Sequence, residues 1–442
     1  MRGLKKIRGP RFFLLFMMFF GLGYVALADS PATTLTADVV QENLDYTWTL
    51  IAAAMVFFMQ AGFAMLEIGF TRVKNAGNAV MKNAMDFCVG MLVYSAVGYA
   101  FMFGTGGVIG SSNFFLDGLT GWDWTFFLFQ AMFAATAATI MAGAIAERTK
   151  FSSYLVASIV LTAIIYPLYG HWVWATGGWL KNLGFTDFAG SAVVHSVGGW
   201  FALAGAIMVG PRIGKFVGKK ASAIPGHNIP MAALGVFILF FGWFGFNSGS
   251  VTKGIAEIGP IAVNTCIAGS AGGVAAMFLS YYIFKKMDIG MTLNGILAGL
   301  VAVTAGCATM PTWAAFVVGL IGGVLVVYSV LFFDKIGVDD AVGAVSVHGV
   351  NGTWGTLAAG IFFSGSMFDL HIIGIQILGS LVAFAMGFGG GLIVLYVIKK
   401  TMGLRVTREE ELEGLDMAEH GSVAYPEFQP KSELSIILSE KK

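Results

Sequence analysis

The chain has 442 residues, of which 57% are hydrophobic and only 12% charged, with 60 glycines and 39 phenylalanines. Soluble domains carry roughly twice that charged fraction, so recurrent apolar runs of about 20 residues point to a bundle of membrane-spanning helices. A net charge of +1 leaves no basic face for nucleic acid. Cys88, Cys266 and Cys307 all fall in apolar runs, which reads as buried thiols rather than a disulfide framework or a metal cluster.

Residues 1–28 have the form of a signal peptide. Arg2, Lys5, Lys6, Arg8 and Arg11 make a basic start, Phe12 to Val25 an apolar core, and Ala26-Leu27-Ala28 a small-x-small cleavage site. The alternative is an uncleaved first helix. Cleavage leaves 29–46 as a short external segment.

Eleven spans follow, at about 47–69, 83–103, 123–146, 152–174, 190–210, 230–250, 259–284, 291–308, 313–333, 341–363 and 372–398. One set of alternate loops carries Arg72, Lys74 and Lys82, Arg148 and Lys150, Arg212, Lys215, Lys219 and Lys220, Lys285 and Lys286, Lys335, and Lys399 and Lys400. The other set carries only Lys181 and Lys253. The positive-inside rule therefore runs the first span from outside to inside and leaves the C-terminus in the cytoplasm. Glu67, near the inner end of the first span, is read as hydrogen-bonded near the interface or paired with Arg72 or Lys74, with a buried functional carboxylate as the alternative. His171 and His371 are read as solvated or capping residues in outer loops, His227 in an inner loop and His420 in the tail.

Two histidines stand inside apolar runs in matching frames. Asp187 precedes His195 by eight residues, Asp340 precedes His348 by eight, and both share Val-His-x-Val-x-Gly. Eight helical residues are slightly over two turns, about 12 Å along the axis. An ionisable side chain inside a membrane is a candidate functional site. The frames recur in the fifth and tenth spans, so the repeat unit is five helices and the second copy, about 230–363, is inverted relative to the first, about 47–210. Inverted repeats with a site near the midplane are a transporter architecture. Asp187 and Asp340 are read as helix caps, with proton transfer as the alternative. The histidine pair has three readings: a transport path, a bis-histidine haem, or two satisfied core histidines.

Further aromatic residues converge at the outer face. Phe129 and Phe133 begin the third span, Trp174 ends the fourth, and Gly242-Trp243-Phe244-Gly245-Phe246-Asn247-Ser248-Gly249-Ser250 ends the sixth. Aromatic rings with one hydroxyl suit a small monovalent cation, through cation–π attraction of about 0.5–2 kcal/mol. The competing reading is an interfacial aromatic belt.

These stretches resemble the ammonium transporter family (Amt/Mep/Rhesus), in its bacterial Amt form. The matching residues are Gln60-Ala-Gly-Phe-Ala-Met-Leu-Glu67, Asp187-Phe-Ala-Gly with Val-His195, Gly242-Trp-Phe-Gly-Phe-Asn with Gly-Ser250, Asp339-Asp340 with Val-His348-Gly-Val, and Gly414-Leu-Asp-Met. The resemblance implies an all-α membrane protein of eleven helices, five plus five inverted and a last long one. It also implies a homotrimer in the inner membrane with one pore per subunit. The resemblance implies a transporter rather than an enzyme, with no cofactor. Trp174, Ser250 and Phe133 would bind ammonium, Phe133 and Phe246 would form a gate, and His195 and His348 would line the pore. Asp187, Asp340, Phe129, Trp243 and Thr304 would support the site. Ammonium would lose its proton, and ammonia would pass the histidines while they relay that proton. Residues 401–442 would form a cytoplasmic regulatory tail, with a P-II signal protein as partner. A non-conducting ammonium sensor of the same fold is the alternative. The chain departs from the family at Gly343 and Ala344, where some members have a further acid, and at Ala131-Met132, where small polar residues are usual.

Overall fold

A computed structural model describes residues 36–218 and 220–426. The proposed signal peptide and the chain from Glu427 onward lie outside the described residues. The chain divides into two compact units, Met1–Leu44 and Asp45–Lys442. Of the first, the described part is the opening of a helix, Ala37–Phe70 (α1). The second holds everything that follows.

Among the described residues, nine helices are long and apolar enough to cross a membrane. They are α1, Val73–Phe103 (α2), Trp122–Ala144 (α3), Phe151–Asn182 (α4), Ser191–Val209 (α5), Ile229–Val251 (α6), Ile258–Phe284 (α7), Thr312–Lys335 (α9) and Leu370–Thr401 (α11). Ile289–Val303 (α8) is a shorter apolar helix. A continuous helical stretch formed by Val345–Val350 and Asn351–Ile361 (α10) carries the second histidine frame. The protein is thus a multi-pass membrane protein, with large apolar side chains such as Phe237, Tyr282, Leu381 and Ile393 on its exposed surface. Such side chains face lipid at no cost.

Burial sorts the helices. The apolar window of α3 is 89% buried and that of α5 83%, against 28% for α11, so α3 and α5 are central and α11 is peripheral. Lipid supplies no hydrophobic drive between helices, and close approach through small residues takes its place. A Cβ on Gly272 would lie 2.3 Å from the Gly295 carbonyl oxygen, and one on Gly319 2.2 Å from that of Ala268. Helices α7, α8 and α9 therefore pack backbone to backbone.

Two short strands, Phe216–Val217 (β1) and Lys220–Ala221 (β2), form an antiparallel ribbon in the α5–α6 connection. The same end of the bundle holds a buried charge network. Arg212 binds Asp339 through Nε at 2.8 Å and Nη2 at 2.9 Å, and reaches Glu147 at 3.3 Å, which also takes Arg72 Nε at 2.8 Å. Arg148, fully buried, donates to the carbonyls of Ala144, Ala146, Gly210 and Asp339. The tail packs against this end through Arg408–Glu413 (α12) and Leu415–His420 (α13). Glu411 is buried, pairs with Arg405 and accepts the Ile213 N–H at 2.7 Å. Asp416 accepts the N–H groups of Gly77 and Asn78.

Several local expectations change. Glu67 pairs with Lys82, 2.8 Å away, and not with Arg72 or Lys74. Lys82 is not in a loop: it is a buried residue of α2, because the helix resumes only a few residues after α1 ends. His171 is buried within α4, and its Nδ1 donates to the Met102 carbonyl at 2.8 Å. Cys88 and Cys266 lie on exposed helix faces, and only Cys307 is buried.

Candidate functional site

Each histidine sits in a wide, π-type turn, Ser191–Ser196 for His195 and Val345–Val350 for His348. Such turns add a residue to the helical ladder and recur at functional sites. The aspartates hold their starts. Asp187 accepts the N–H groups of Gly190, Ala192 and Val193 at 2.8–2.9 Å. Asp340 accepts those of Ala344 and Val345 at 2.9 and 2.8 Å, with Ser346 at 3.4 Å. These are the unpaired donors that every helix start exposes. Burial pushes both carboxyls up to about 6 while the N–H groups pull them down.

The two imidazoles face each other. Nδ1 of His195 and Nδ1 of His348 are 3.1 Å apart, with ring centroids 5.2 Å apart and planes inclined by 24°. Both side chains are buried. A hydrogen bond between two such atoms requires one ring to hold its proton on Nδ1 and the other on Nε2. Two opposed metal ligands would need about 4 Å, at ~2 Å each, so the gap leaves no room for a haem iron. The close fit has a simple cause: a Cβ on Gly199 would lie 2.1 Å from the Gly349 nitrogen. Helices α5 and α10 touch one turn beyond His195, directly beside His348.

From His195 a column of rings runs to the end of the bundle opposite the charge network. His195 stacks on Trp243 (5.1 Å, 18°) and on Phe246 (5.3 Å, 27°). Phe246 stacks on Phe133 at 4.1 Å and 24°. Phe133 meets Phe129 at 4.7 Å and the edge of Trp174 at 6.3 Å. Phe133 and Phe246 are fully buried, whereas Trp174 and Ser250 are half-buried at the mouth. Trp174 is held by its indole N–H to the Asp187 carbonyl (2.7 Å), Trp243 by its own to Thr304 Oγ1 (2.9 Å). The Ser250 hydroxyl donates to the Phe246 carbonyl at 2.8 Å, leaving its lone pairs free to accept.

On the other side of the pair, His348 lines a cavity with Phe63, Glu67, Thr139, Asn294 and Val347. A second, wider cavity shares Asn294, Val342 and Gly343 with it and opens among Arg212, Lys215, Asp288, Asp334 and Asp340. The residues singled out from sequence thus form one connected row, with Asp187 and Asp340 at its flanks. Sequence reasoning passed over Phe63, 6.0 Å from His348, and the Gly199–Gly349 contact. A small residue four positions after His195 was the available signal for the latter.

This geometry meets a consistent set of likenesses. The pattern that defines the Ammonium Transporter Family matches residues 47–425. Ammonium transporter Amt2 of Archaeoglobus fulgidus is 46% identical over 429 residues, covering 89% of this chain and 91% of its own. A putative ammonium transporter of Synechocystis sp. is 43% identical over 419 residues, covering 90% and 93%. Among solved structures, a sensor Amt protein superposes with a TM-score of 0.85 at 44% identity, covering 87% of this chain and all of that one. Mep2 of Candida albicans gives 0.80 at 28% identity, covering 88% and 92%. The chain belongs to the ammonium transporter family.

Proposed function

We propose that the protein carries ammonium across the inner membrane, by binding the cation outside and passing ammonia and its proton separately. Helices α1 to α11 serve as eleven spans, two inverted sets of five and a last one, three copies forming a trimer. The basic end with the docked tail faces the cytoplasm, where a P-II signal protein is the expected partner.

Trp174, Phe133 and Ser250 receive ammonium. The rings attract its charge, and the serine oxygen accepts one of its hydrogens. Potassium has a similar size but donates no hydrogen bond and loses no proton. Beyond the mouth, the stacked Phe133 and Phe246 rings close the path, and a cation would lose several kcal/mol of hydration against them. Ammonia is neutral and passes when the rings swing aside. The observation that carries the reading is the 3.1 Å Nδ1–Nδ1 contact directly behind that stack. Pairing through Nδ1 leaves Nε2 of His195 without a partner among the described residues. A proton taken up there lets the shared hydrogen shift to His348, whose own Nε2 proton leaves on the inner side.

The test is ammonium-evoked current from proteoliposomes on a supported membrane. Wild type should give a current that His195→Ala and His348→Ala lose. The second reading, a sensor that binds ammonium without conducting it, is favoured by the 44% identical solved structure named as a sensor. A wild type that binds ammonium and stays electrically silent, with no ammonia entry, would select it.

A further inference from the structure

Glu67 has no part in the path described so far, yet it lines the same cavity as His348. It lies on α1 one turn beyond Phe63 and is buried. Lys82 Nζ donates to its Oε1 and Asn83 Nδ2 to its Oε2, each at 2.8 Å. Lys82 is itself buried, donates also to the Ala142 carbonyl at 3.3 Å, and stands 5.5 Å over the Tyr154 ring. One turn further along α2 lies Asp86, fully buried, accepting from the Tyr154 and Ser158 hydroxyls.

The region therefore holds two carboxylates and one ammonium group away from solvent. With all three ionised it carries one unbalanced negative charge, and such a charge costs several kcal/mol when buried. One added proton makes the cluster neutral. Of the two carboxylates, Glu67 is the one that lines the cavity with His348, and so the one that a proton leaving His348 meets.

We propose that Glu67, poised by Lys82 and Asp86, is the proton acceptor on the inner side of the histidine pair. This rests on the reading that the histidines relay a proton. In the step, the Nε2–H bond of the His348 imidazolium breaks and an O–H bond forms on Glu67, directly or through one water in the cavity. The ring becomes neutral imidazole and the carboxylate becomes the acid. The acid then gives the proton to water in the wider cavity beyond Asn294. The groups facing Glu67 are Lys82 and Asn83 from α2 and, around the cavity, Thr139 from α3, Asn294 from α8 and His348 from α10, with Asp86 and Tyr154 behind Lys82.

The experiment compares charge moved with ammonia moved, using full-length protein in proteoliposomes. Current on a supported membrane reads charge, and an enzymatic assay of total ammonium inside the vesicles, with the electrical gradient collapsed, reads ammonia entry. Charge per ammonia should fall by about a hundredfold in Glu67→Gln, the lower end of what a positioned proton acceptor contributes. Glu67→Gln leaves Lys82 balanced by Asp86, and an unchanged thermal unfolding midpoint checks its fold; Glu67→Asp should recover part of the ratio. An unchanged ratio in folded Glu67→Gln beside a lost current in His195→Ala overturns the role of Glu67 while leaving the histidine relay intact. An unchanged current in His195→Ala overturns both.

Discussion

Replacing Asp187 separates two roles that its place beside the outer rings would allow. As a holder of the α5 start, its carboxylate satisfies three buried N–H groups, from Gly190, Ala192 and Val193. Asp187→Ala leaves all three without an acceptor, at about 1–3 kcal/mol each, or roughly 3–6 kcal/mol allowing for partial relaxation. Asp187→Asn keeps one carbonyl oxygen able to accept two of them, so its cost is about 1–2 kcal/mol. The Trp174 indole is tied to the Asp187 carbonyl, so loss of the turn also displaces the outer ring. Thermal unfolding of the purified protein should place the Asn variant roughly 2–4 °C and the Ala variant roughly 6–12 °C below wild type, at about 2 °C per kcal/mol for a long chain. Ammonium-evoked current should follow the same order, with the Asn variant still active. If Asp187 instead passed protons, the Asn variant would be as stable as wild type and as inactive as Ala, and that result refutes the holding role.

Two further predictions concern the backbone contact and the charge network. In Gly199→Ala the new methyl would lie 2.1 Å from the Gly349 nitrogen and 2.5 Å from its Cα, backbone that cannot swing aside. Overpacking of this kind costs about 1–3 kcal/mol or more, and the strain opens the histidine pair, so current should fall about tenfold, the effect of a 1.4 kcal/mol barrier; unchanged current would exclude tight coupling of the two helices. Arg212→Met strands Asp339, while Glu147 keeps Arg72, and should lower stability by about 3–5 kcal/mol. Burial works to raise the Asp339 carboxyl, but Arg212 and Arg148 outweigh it and hold the group well below the usual carboxylate range. A depressed folded value stabilises the protein above the ordinary value of 3.8 and loses that contribution as pH falls below it. Unfolding midpoints of wild type and Arg212→Met should therefore differ most at neutral pH and converge below about pH 4; a gap that widens in acid would contradict the assignment.

The long helices were legible because lipid imposes a simple rule of about 20 apolar residues per span. The aromatic and histidine residues stood out because each is costly or idle in an apolar helix unless it meets a partner. Partners themselves were harder to read. Lys82 looked like a loop cation because its position along the chain follows Arg72 and Lys74 closely, whereas α2 buries it against Glu67. His171 looked solvated among outer tryptophans, but α4 continues past it and the Met102 carbonyl takes its proton. The sequence marks the tail only as a cytoplasmic segment, and the donors that Glu411 and Asp416 satisfy, at Ile213, Gly77 and Asn78, are more than 190 residues away in sequence. In each case the pattern along the chain gives the cost of a buried polar group, and only the fold gives what offsets it.

The Asp-to-His spacing of eight illustrates how far a local pattern can specify a distant contact. In a regular helix each added residue turns a side chain by about 100°, so a π-type turn that inserts one residue re-aims everything after it. Both frames place such a turn between the aspartate and the end of the histidine's own turn. Without it, one imidazole would point away from its partner. A wide turn is less favourable than the α-helical ladder and needs support where it begins. The carboxylates of Asp187 and Asp340 give it, by binding two or three N–H groups from a single side chain. The repeated frame is therefore a pair of device and brace: the histidines meet because each aspartate holds open the turn that aims them.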